Sequence, residues 1–152
     1  MNRQEAIDAQ KNTQKEKKVS FSRKEAREFC MQTIFQMEAQ KEAELSKLEH
    51  YLGEKNFGTQ TGYIKSVISG LLENIETVDE LINKSATGWD VKRMPKTDLA
   101  IVRIATAEML YADIPHAVAI NEAVSLSKLY GTENSPKFIN AVLGKIEKTA
   151  TK

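Results

Sequence analysis

From residue 21 onward, apolar positions recur at three- and four-residue spacing, and no stretch alternates with a period of two for long enough to form a strand. The pattern predicts an all-α chain. Ser22 followed three residues later by Glu25 is a capping box, in which each side chain satisfies a backbone N–H that the first turn leaves unpaired. A helix should start there, with Ala26, Cys30, Thr33, Ile34 and Met37 on one stripe. The polar Lys41-Glu42 pair breaks it before a short helix over about 43–52, and Gly53 and Gly58 bracket a loop. A third helix is expected over 61–76, and Thr77 with Glu80 reads as a second capping box, opening a fourth helix that ends near Gly88.

Pro95, Pro115 and Pro136 each stand where a helix would begin, since proline at the first helical position loses no hydrogen bond and brings a preset φ. Helices are therefore expected near 95–111, 115–130 and 136–149, with Asn134 or Ser135 capping the last and Gly131 closing the one before it. The run LAIVRIATAEMLYA is apolar almost all round, the pattern of a helix surrounded by others. The expected fold is a compact all-α bundle of about seven helices. It forms one domain over 21–149, built as two small sub-bundles around Trp89, after a disordered basic tail over 1–20.

At 152 residues the chain suits one core, burying roughly two thirds of its unfolded surface. No apolar run is long enough to span a bilayer. The start, MNRQEAIDAQKNTQKEKK, has no apolar segment after its lysines, so a secretory signal is not expected and a cytoplasmic location is. The single cysteine, Cys30, has no internal disulfide partner and should behave as a small hydrophobe. The net charge of +1 conceals a basic segment, seven Lys or Arg against two acidic residues between Lys11 and Arg27. That segment is either a solvated tail or a footprint for phosphates.

His50 and His116 lack a second ligand at helical spacing, and no phosphate-binding loop, nucleophile elbow or zinc-protease motif is present. No catalytic residue, metal or cofactor is expected, and the chain does not read as an enzyme. Three side chains carry more information. Phe35 lies on a flank with Lys24 and Met31, away from the buried stripe, and either packs on a neighbouring helix or anchors a partner. Phe138, at the edge of the Ile139, Val142, Leu143 and Ile146 stripe and beside Lys137, is either core or a stacking platform for a base. Arg103, the sole basic residue of the apolar helix, is a buried ion-pair member or a phosphate and base contact.

Three segments together, SRKEAREFCMQTIFQME, DLAIVRIATAEML and IPHAVAINEAVSLSKLYGTENSPKFINAVLGKI, resemble the NusB family of bacterial transcription antitermination factors over about residues 21–147. The resemblance implies an all-helical adaptor that binds boxA RNA of nascent transcripts together with NusE, a small-subunit ribosomal protein, within an RNA polymerase antitermination complex. It places Arg23, Lys24, Arg27, Gln32, Arg103, Lys137, Phe138 and Asn140 on the RNA and Phe35 and Asp98 at the NusE contact. The alternative for Asp98 is a favourable charge in the first turn of its helix, with no partner contact. Neither a membrane nor a small-molecule substrate is implied. Glu25 interrupts the basic start typical of the family, which Lys17 and Lys18 could make up for. The alternative function is a helical protein-interaction scaffold whose basic face is only solvated surface.

Overall fold

Ser22 caps the first helix as its spacing with Glu25 requires. The Glu25 N–H donates to Ser22 Oγ at 3.0 Å and the Ser22 N–H to Glu25 Oε1 at 3.1 Å. The structure, a computed structural model, describes residues 2–5 and 21–150, so the tail expected over residues 1–20 lies almost wholly outside the described residues. Between residues 21 and 150 the chain forms seven α-helices. They are α1 (Arg23–Ala39), α2 (Leu48–Leu52), α3 (Thr61–Glu73), α4 (Ile75–Ser85), α5 (Lys96–Tyr111), α6 (His116–Tyr130) and α7 (Ser135–Ala150).

Several boundaries differ from the expected ones. The helix expected over 43–52 is a 3-10 turn, Leu45–Lys47, running into the five-residue α2. The break between α3 and α4 falls at Asn74 instead of Thr77. The Asn74 side chain donates to the Gly70 carbonyl at 2.8 Å and its backbone N–H to Leu71 at 3.1 Å, which stops α3. Its own carbonyl then accepts from Val78 at 2.9 Å, so Thr77 already lies inside α4 and no capping box forms there. Pro95 and Pro115 stand just ahead of α5 and α6 with extended ψ of 136°, their carbonyls accepting the first helical bonds from Leu99 and Ala119.

α5 is the axis of the molecule, and every residue from Asp98 to Met109 is buried. α1 and α3 pack on it from one side and α4, α6 and α7 from the other. One continuous core results, and α5 belongs to both halves. Trp89, expected between two sub-bundles, instead lies 46% exposed on the connection from α4 to α5. Close approach to α5 explains Gly70, where an added Cβ would come within 2.6 Å of Tyr111 Cβ. Gly131 closes α6 by donating to Ser127, and with φ of −92° it serves for space: a Cβ there would sit 2.5 Å from Ser135 Oγ. Among the described residues no helix is long and apolar enough to cross a membrane.

Candidate nucleic-acid and partner interface

The eight residues expected on RNA separate into buried and exposed sets. Arg27 is only 4% exposed and forms a two-pronged pair with the fully buried Glu108: Nε lies 3.0 and 3.1 Å from its two oxygens and Nη2 2.8 Å from Oε2. Glu122 stands 3.6 Å from Nη1. Burial alone would lower the pKa of Arg27, but the hydrogen bonds and charge of Glu108 more than offset this and raise it. Arg103 is likewise 4% exposed, clamped by Asp79 of α4 at 2.8 and 2.9 Å and by Glu38 of α1 at 3.2 Å. Its pKa too ends raised, the carboxylates overcoming burial. Both arginines, expected on the RNA, are paired in this structure with carboxylates inside the bundle. Arg103 takes the ion-pair role and ties α1, α4 and α5 together.

Arg23 and Lys24 are exposed at the start of α1. The Arg23 guanidinium lies 4.2 Å from the Tyr63 ring centroid and donates to Gln60 Oε1 at 2.6 Å, which presents it on the surface in a fixed pose. Gln32, further along the same helix, donates to the Tyr130 hydroxyl at 3.2 Å, and that hydroxyl donates to Glu28. Phe35 is 40% exposed and stands between two shallow cavities. One is lined by Met31, Gln32, Phe35, Thr97 and Tyr130, the other by Phe35, Glu38, Ala39, Lys41 and Lys96.

A third cavity, of about 290 Å³, is lined by Trp89, Pro95, Asp98, Thr132, Asn134, Ser135 and Phe138. Trp89 and Phe138 meet edge to face at 6.0 Å. The three cavities share one element, the beginning of α5: Lys96 and Thr97 face the Phe35 side, Pro95 and Asp98 the Phe138 side. A band of accessible surface thus runs from Phe35 across the α5 start to Phe138. Asp98, expected at the NusE contact, is only 4% exposed. Lys137 and Asn140 are exposed on α7.

The match to known proteins follows the same residues. A model of the NusB family matches residues 24–148. The chain belongs to the NusB family. It is 40% identical over 127 residues to the transcription antitermination protein NusB of Alkaliphilus oremlandii, an alignment covering 82% of this chain and 92% of that protein. It is 41% identical over 124 residues to the NusB protein of Thermoanaerobacter sp., covering 82% and 89%. The solved structure of T. maritima NusB superposes with a TM-score of 0.75 at 34% identity, over 85% of this chain and 92% of that one.

Within this NusB fold, sequence reasoning missed Thr97, Tyr130, Asn134 and Thr132 as lining residues. Each is a polar or aromatic residue at or beside a helix end, and only the meeting of helix ends in space gives them a common surface. Trp89 was visible as the single tryptophan, but its place beside Phe138 depends on α7 lying across the connection from α4 to α5. Cys30 is fully buried, with a thiol pKa raised by burial, and lines none of the cavities. No cluster of His, Cys, Asp and Glu suited to a metal ion occurs among the described residues.

Proposed function

We infer that this NusB-family chain is a transcription antitermination factor that binds boxA RNA of nascent transcripts together with NusE. Its role is to tether, with no bond made or broken. The observation that carries the reading is its identity of about 40% with named antitermination proteins across four fifths of its length. The surface chemistry supports a division of labour. Arg23 and Lys24 attract phosphates, and Lys137, Phe138 and Asn140 offer a cation, a stacking face and an amide to an unpaired base. Gln32 lies where the two surfaces meet, beside Phe35 and Tyr130. Phe35, with Leu129 and Tyr130 also exposed, suits a protein partner and takes the NusE contact.

The test is fluorescence anisotropy with labelled boxA and scrambled single strands at several salt concentrations, with and without NusE. Preference for boxA that strengthens with NusE is the expected outcome. Replacing Arg23 and Lys24 together by Ala should lower affinity for both strands and reduce the log–log salt slope by about 0.7 for each phosphate no longer neutralised. Equal binding of boxA and scrambled strands, with NusE making no difference, would leave a protein-interaction scaffold as the better reading.

A further inference from the structure

Arg23 differs from the buried arginines in what holds it. Arg27 and Arg103 are gripped by carboxylates, whereas Arg23, at the exposed start of α1, has no ion pair among the described residues. Its Nε donates to Gln60 Oε1 at 2.6 Å, and its guanidinium lies 4.2 Å from the Tyr63 ring centroid. An amide oxygen and an aromatic face thus fix the group without cancelling its charge. Among the described residues only Nε is engaged, so the two Nη nitrogens form an open fork of the kind that meets a phosphate through paired hydrogen bonds. The support is itself well anchored. Gln60 ends the 3-10 turn Gly58–Gln60 and Tyr63 follows three residues later in α3, so the two side chains share a face. Phe57, 4% exposed, precedes the turn and packs against Phe21 and Phe29, with ring centroids 5.6 and 4.9 Å away. Those two residues bracket Arg23 in the chain, so the turn is fastened to the start of α1. Arg27 lies 5.6 Å from the same Tyr63 ring, but its pairing with Glu108 offsets the repulsion it would exert on Arg23.

We propose that Gln60 and Tyr63 are positioning residues for RNA binding: they hold Arg23, fully charged and in one orientation, so that its Nη fork meets a backbone phosphate. An unsupported arginine samples many rotamers and loses that freedom when it binds, whereas one already fixed against a ring loses less. The proposal rests on the RNA-binding reading above and adds two uncharged residues, outside α1, that act through Arg23 and need no contact with the strand. The Tyr63 hydroxyl is buried without a hydrogen-bond partner among the described residues, so the ring alone carries the role. Lys24, the exposed neighbour, has no hydrogen bond or ion pair among the described residues and provides a control.

The full-length protein is titrated with the labelled boxA strand at several salt concentrations, as single variants and as double variants with Arg23→Ala or Lys24→Ala. Gln60→Ala and Tyr63→Leu should each weaken binding roughly two- to fivefold, the scale of an exposed contact between a cation and a ring. Each should also lower the log–log salt slope by up to about 0.7, although neither removes a charge. A residue that matters only for the fold would leave that slope unchanged. Tyr63→Phe should keep both affinity and slope. In the Arg23→Ala background neither substitution should weaken binding further, whereas in the Lys24→Ala background both should keep their full effect. Circular dichroism checks folding, and the partly buried Gln60 carries the test should Tyr63→Leu not fold. Equal losses with and without Arg23, or no loss in either, overturn the proposal and leave RNA binding intact. So does a loss on Tyr63→Phe that matches the one on Tyr63→Leu. Absence of binding by any strand would remove the RNA-binding reading and the positioning role together.

Discussion

Arg27→Ala separates the internal role of this arginine from the RNA contact implied by the family resemblance. The substitution removes three hydrogen bonds of 2.8–3.1 Å to Glu108 and leaves that carboxylate fully buried beside Tyr63 and Cys30. Removing one partner of a buried pair costs about 3–5 kcal/mol, because the remaining charge is desolvated without compensation. For a chain of this length each kcal/mol lowers the melting temperature by about 2–4 °C, so the decrease should be roughly 6–20 °C. The double variant Arg27→Met with Glu108→Met removes both charges and keeps apolar bulk, so it should recover most of that stability. Thermal unfolding followed by circular dichroism measures the stabilities, and anisotropy at a temperature where all variants are folded measures RNA affinity. The double variant should bind RNA nearly as well as the unmodified chain. The reasoning fails if Arg27→Ala leaves the melting temperature unchanged and abolishes RNA binding, since the guanidinium would then face the RNA in solution.

Asp98→Asn should raise the melting temperature at neutral pH by a few degrees, because it removes a partly uncompensated buried charge; unchanged or lower stability would mean that the carboxylate is satisfied. The raised pKa means that the folded state holds this proton more tightly than the unfolded chain. The stabilisation is complete below the unfolded value near 3.8 and is lost as pH rises through the folded value, so Asp98→Asn should flatten that part of the pH–stability curve. Cys30, with a thiol pushed up by full burial, should resist alkylation in the native state and react at a rate that follows unfolding; rapid native labelling would place it at the surface. Gly70→Ala should destabilise the fold by about 1–3 kcal/mol in denaturant titration, because the new methyl would meet Tyr111 Cβ at 2.6 Å, and a neutral outcome would show that α3 and α5 separate without strain.

Local chemistry makes most of the helices legible from the order of residues alone. The Ser22 and Glu25 spacing, the prolines and the apolar stripes act within one or two turns, so they mark where helices start and which face is buried. Even the central place of α5 could be read, because a helix apolar on every side has nowhere else to go. The short-range signals failed where two of them competed. Thr77 and Glu80 had the right spacing for a cap, but Asn74 lay upstream and its side chain closed α3 first.

The candidate interface was legible in part, as a set of residue types and not as a place. Arg23, Lys24, Lys137 and Asn140 are exposed as their polarity requires, while Arg27 and Arg103 carry the same charge as the basic members of that set and are buried. The apolar run around Arg103 points to burial, but nothing in the sequence near either arginine names the carboxylates that pair with it. Glu108 is 81 residues from Arg27, and Asp79 is 24 from Arg103, so only helix packing brings the compensating carboxylates within reach. Burial of a charge is decided by the partner that tertiary structure supplies. The same is true of Asp98, which the sequence offers as an ordinary first-turn acid. The sequence by itself determined the helices, their buried faces and the family. Tertiary structure decided which charges are spent inside the bundle and which groups meet around the α5 start, because those outcomes depend on contacts between residues far apart in the chain.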